Sequence, residues 1–179
     1  AVARTLLLLY AALALGTVLM ALAFGGTVGQ LVQPRTGAFF PALDLGLGLA
    51  VGLAVVLLSR LLDRVRAARN LNHYLRDLLS PLEPRHALGI AVLGSLAEEL
   101  LFRGFVQPYL GLSATAVVFG VVHHVPRRRD LLLWPLAATV MGLVFGGLYE
   151  LRGGILAPTV AHVAINYFNL HYLLAPREA

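Results

Sequence analysis

Three short groups of polar residues interrupt an otherwise apolar chain, and each repeats at the spacing of a helical turn. Glu98-Glu99-Leu100-Leu101-Phe102-Arg103 sets two adjacent carboxylates and an arginine in a segment that is apolar from about His86 to Gln107. Phe119 and His123 follow one turn apart, and His162 and Asn166 form a second such pair. A carboxylate that can take a proton, an imidazole and a carboxamide are the parts needed to activate a water molecule and hold a developing oxyanion. The chemistry on offer is hydrolysis of a carbonyl.

Each ionisable side chain at the centre of a membrane helix costs roughly 2.5 to 3.5 kcal/mol on insertion scales, so the three charges need partners from neighbouring helices. Glu99 and Arg103 stack on one helix face with the acid on the N-terminal side, the better orientation for an ion pair. Glu98 points about 100 degrees away. The arginine holds Glu99 ionised, and Glu98, buried beside a negative neighbour, is left to act as general base. A purely structural use of the trio, locking helices together, is the bland alternative; membrane helices more often associate through small residues and hydroxyls.

The elements that must position these groups are transmembrane helices. Of the 179 residues, 59% are hydrophobic and 13% charged, the mean hydropathy is +0.80, and the apolar runs have membrane-spanning length. The expected fold is all-α: one polytopic bundle over 1–179, of about six spans with an interfacial amphipathic helix, whose core from 86 to 170 carries the polar groups. The spans are placed at 5–24, 43–58, 86–107, 112–125, 131–151 and 155–174, with Gly and Pro breakers between them. The first ends in Ala21-Leu22-Ala23, an A-x-A-like pattern, but its apolar run is long for a signal peptide and reads as a retained span. There is no cysteine, which excludes thiol catalysis and disulfides.

Arginine distribution gives the orientation. With the N-terminus inside, one side collects Arg4, the series from Arg60 to Arg85, Arg127 to Arg129 and Arg177, whereas the other holds only Arg35 and Arg152. The expected setting is a bacterial inner membrane with both termini cytoplasmic. The net charge of +5 is accounted for by topology, and nucleic acid is not needed as a partner. Between the second and third spans Leu61, Val65, Ala68, Leu71, Leu75 and Leu78 recur at helical spacing, with Arg64, Arg66, Arg69 and Arg76 on other faces. Such a helix lies in the interface with its arginines on anionic headgroups.

The three groups, in this order, resemble the motifs of the CPBP family, the intramembrane glutamic endopeptidases that include the CAAX-prenyl endopeptidase and the Abi-type bacteriocin-processing and immunity proteins. The resemblance covers roughly residues 86 to 170 and includes Gly153-Gly154-Ile155-Leu156-Ala157-Pro158 ahead of the last motif. It implies that Glu98 and His123 activate water, that His162 and Asn166 stabilise the oxyanion, and that Glu99, Arg103 and Phe119 support the site. It implies no cofactor, and as partner a membrane-associated protein or peptide substrate.

Other chemistries stay open at this level. A zinc protease would want His-Glu-x-x-His, which is absent, although Glu98, His123 and His162 together offer ligands of the right type. Ser113 opens a span and a histidine sits in a later one, the outline of a serine protease; a helix cap or packing contact is the simpler use of that serine. An aspartyl site would need two aspartates inside the membrane, and only Asp44 lies near a span. The same polar core would also serve a non-catalytic immunity or peptide-binding protein.

Overall fold

The computed structural model describes residues 2–33 and 40–175; Arg35 and Arg177 lie outside them. The chain is all-α: α1 (Val2–Ala23), the short α2 (Val28–Val32), α3 (Pro41–Leu62), α4 (Arg66–Leu79), α5 (Ala87–Glu99), a π-helical segment Leu100–Val106, α6 (Gln107–Val122), α7 (Leu133–Arg152) and α8 (Leu156–Leu174). It is a helical membrane bundle. Val2–Ala23, Pro41–Leu62, Pro84–Val122 and Arg129–Arg152 are long and apolar enough to cross a bilayer. The 39-residue stretch Pro84–Val122 breaks at Gly111, whose φ of 74° no other residue type adopts readily. Leucines and valines of α1, α3, α6 and α7 point outward, among them Leu9, Leu57, Val121 and Leu136, as lipid demands.

The hydropathy of α8 does not mark it as a span, and packing explains why. It contacts α3, α5, α7 and α4 and has few exposed positions. Sheathed by protein rather than lipid, it tolerates His162, Asn166 and Asn169. Its seam with α3 is built from small residues four apart. A Cβ at Gly48 would lie 2.5 Å from the Ala157 carbonyl oxygen, and one at Gly52 would lie 2.8 Å from Ala164 Cβ. Glycine lets the two backbones approach to contact.

One end of the bundle is rich in arginine. Arg60 donates to the Phe168 carbonyl and to Asn169 Oδ1, both at 3.1 Å, and Arg76 to the Leu173 and Tyr172 carbonyls at 3.0 and 3.1 Å. Arg76 thereby satisfies carbonyls left free at the C-terminus of α8, and Arg60 braces the turn before them. At the opposite end a buried Asp44 pairs with Arg152, and the Thr27/Gln30 capping box starts α2, which folds back so that the Val32 carbonyl accepts from the Ile155 N–H at 2.9 Å. The amphipathic helix α4 packs loosely, with no fully buried residue.

The third span departs from the expected continuous α-helix. After Glu99 the ladder widens to a π segment, closed where the Gln107 N–H donates to the Phe102 carbonyl, five residues back. Pro108 has no N–H to give to Gly104, so the α ladder cannot run through this point. Such widened turns frequently occur at functional sites.

Candidate active site

The end of α5, the π segment, α7 and α8 converge on a buried polar cluster. Glu99 and Arg103 have no exposed surface, and Arg103 Nε lies 3.2 Å from Glu99 Oε2. The expected ion pair forms, though its atoms are not aligned for a hydrogen bond. Arg103 also donates through Nη2 to the Gly142 carbonyl on α7 at 3.0 Å. Its guanidinium carbon is 5.0 Å from the Phe119 ring centroid and 5.6 Å from that of Phe145. Aromatic faces thus take the place of hydration around a buried cation.

The other oxygen of Glu99 meets His162: Oε1 and Nδ1 are 2.8 Å apart. The ring of His162 stacks on Phe145, centroids 4.6 Å apart at 20°, and turns Nε2 toward Glu98 Oε2 at 3.9 Å. One imidazole therefore sits between both carboxylates. Glu98 retains partial exposure, 18% of its side chain, and its Oε2 has no hydrogen-bond partner. Arg103, Glu99 and His162 form a line in which the carboxyl group of Glu99 fixes the ring orientation of His162, the arrangement by which an acid orients a catalytic histidine.

Asn166, one turn beyond His162, donates through Nδ2 to Ser95 Oγ at 3.1 Å. Phe119 packs edge-on against Phe102 with centroids 4.9 Å apart, and its ring is 6.1 Å from that of His162. His123 ends α6 half-buried. Its Nδ1 is 2.7 Å from the Phe119 carbonyl oxygen, so Nδ1 carries the hydrogen and Nε2 is left as an acceptor. Its ring also lies against Trp134, 5.9 Å between centroids. The structure thus brings Glu98, Glu99, Arg103 and His162 together, joins Asn166 to them through Ser95, and connects His123 through Phe119. Ser113 lies on the exposed side of α6. Among the described residues no three His, Asp or Glu side chains are disposed to hold a metal ion.

Two residues carry more than their sequence context suggested. Ser95 is completely buried; its place one turn before Glu98 and Glu99 is the signal that could have revealed it. Gln107, one turn after Arg103, repeats the step made by that arginine: its Nε2 donates to the Gly146 carbonyl at 3.1 Å, as Arg103 does to that of Gly142. Room for it exists because a Cβ at Gly146 would stand 2.7 Å from Gln107 Oε1.

A membrane-embedded helical bundle with a glutamate–histidine–arginine cluster at its centre defines the class. Residues 81–168, which carry all three polar groups, match the family described as Rce1-like, type II CAAX prenyl endopeptidase, and this match supports the CPBP/CAAX protease family for the chain. It is 32% identical over 83 residues to the uncharacterized protein YpbD of Bacillus subtilis (strain 168). That alignment takes in 45% of this chain and 42% of the relative, so the chain spans less than half the relative's length. No solved structure matches it.

Proposed function

We propose that this protein is an intramembrane endopeptidase that hydrolyses a peptide bond of a membrane-associated protein or peptide with water activated by Glu98 and His123. The observation that supports it most is the line Arg103–Glu99–His162, which ends with His162 Nε2 3.9 Å from a Glu98 oxygen that has no hydrogen-bond partner. A partly buried acid with a free oxygen and an oriented imidazole is the equipment of general base catalysis.

In this mechanism Glu98 takes a proton from water as the oxygen attacks the carbonyl carbon. His123 Nε2 orients that water. The tetrahedral oxyanion receives hydrogen bonds from the amide of Asn166 and from His162 as an imidazolium, whose Nδ1–H stays on Glu99 while its Nε2–H turns to the oxyanion. Glu98 then returns the proton to the leaving amine, and the peptide bond breaks. Glu99, held by Arg103, keeps His162 in place throughout. The membrane is a bacterial inner membrane with both termini cytoplasmic, and α4 rests on its anionic headgroups.

The test is comparison of N- and C-terminal peptides in membranes carrying the wild-type protein or Glu98→Gln. Termini that appear only with the wild type support proteolysis and give the cut site. Identical termini in both would overturn it and leave a peptide-binding or immunity role for the same cluster.

A further inference from the structure

We infer that Ser95 is a positioning residue of this site, setting the carboxamide of Asn166 so that one N–H faces the reacting carbonyl. The inference rests on the hydrolytic reading above. Ser95 has no exposed surface, in contrast to Asn166, which is only half-buried. The contact between them runs from Asn166 Nδ2 to Ser95 Oγ at 3.1 Å.

A carboxamide is symmetric in shape but not in chemistry. It presents two donor hydrogens on one side and an acceptor oxygen on the other, and a half-turn about its last bond exchanges them. An oxyanion site works only with the nitrogen toward the oxyanion. In the structure the amide nitrogen of Asn166 faces Ser95 Oγ, which accepts through its lone pairs. Those lone pairs accept from an N–H and repel the amide oxygen. Ser95 thereby selects the nitrogen-inward orientation and consumes one of the two hydrogens. The planar amide then holds the second in a fixed direction. Because Ser95 lies on the turn before Glu98 and Glu99, the same face of α5 sets both the base and the oxyanion donor.

Ser95→Ala removes one oxygen and leaves the helix packing in place. The experiment measures kcat and KM for Ser95→Ala, Asn166→Ala and the double variant. The probe is a fluorescence-quenched peptide spanning the cut mapped in membranes; thermal unfolding of the same proteins in detergent is followed in parallel. Ser95→Ala is expected to lower kcat about tenfold with KM unchanged, and to have no further effect in the Asn166→Ala background, since it acts through that amide. Full turnover by Ser95→Ala, or an equal tenfold loss in the Asn166→Ala background, would overturn the assignment. The unfolding data separate it from the proteolytic reading. If the peptide is not cut by the wild type, that reading fails, and additive shifts in unfolding temperature for the two substitutions would independently remove the Ser95–Asn166 bond.

Discussion

His162 Nδ1 lies 2.8 Å from Glu99 Oε1, and the second oxygen of the same carboxylate is paired with Arg103. Glu99 is thus shared between a helix neighbour and a helix three elements away. It has no exposed surface, so solvent does not compete for either contact.

Removing either member of a buried ion pair strands the other, at a cost of about 3 to 5 kcal/mol. Glu99→Gln and Arg103→Ala should each lower the unfolding temperature in detergent and abolish cleavage. Glu99→Leu combined with Arg103→Met should recover much of the stability, because neither charge is then stranded. The double variant should nonetheless stay inactive, with His162 deprived of its acceptor. A double variant as unstable as the two singles together would contradict the account.

Much of this site is legible in the sequence because helical spacing survives translation into space. Glu99 and Arg103 meet as their separation requires, and Phe119 lies within an aromatic group that encloses Arg103. What spacing could not supply is the partner across a helix interface. Nothing in the order of residues says that His162 would face Glu99, or that Asn166 would reach a serine. The π segment was also hidden, since the Pro108 that breaks the α ladder reads equally well as the end of a span. The low apolarity of α8 is intelligible only once its neighbours are known, as a central helix is not chosen for lipid.

The α3–α8 seam makes a prediction that compares glycines within one helix. Gly48→Ala and Gly52→Ala place a methyl group 2.5 Å from the Ala157 carbonyl oxygen and 2.8 Å from Ala164 Cβ. Overpacking of this kind costs typically 1 to 3 kcal/mol, and displacement of α8 carries His162 with it. Gly46, where an added Cβ meets nothing within 4 Å, should accept alanine with unchanged or slightly raised stability. Unfolding temperature and turnover of the three variants check this. Equal effects at all three positions would argue against close packing at the seam.

The arginine asymmetry can be tested directly, since the chain has no cysteine to remove. Single cysteines at Asn70 and Arg128 should react with an impermeant maleimide only after the cytoplasmic face is opened. One at Gly25 should react from outside in intact cells. In the structure Arg128 approaches the Tyr74 ring on α4 at 5.2 Å, which sets the first two positions at one end of the bundle. Labelling of Gly25 and Asn70 from the same side would overturn the arrangement.

Glutamate, metal and serine mechanisms differ in what they need, and three measurements separate them. Water activated by Glu98 forms no acyl-enzyme, so hydroxylamine should trap nothing, no burst should precede steady turnover, and Ser113→Ala should remain active. A strong chelator should leave the rate unchanged; a catalytic zinc would be stripped, and its return would restore activity. His123→Ala, His162→Ala and Asn166→Ala should each lower kcat about a hundredfold or more, the scale for losing a general catalyst or one oxyanion donor. His162→Ala should lose most, because it removes the ring that contacts Glu99 and faces Glu98. Metal-reversible inactivation would exclude the glutamate mechanism, and an intercepted acyl-enzyme would direct attention to Ser113.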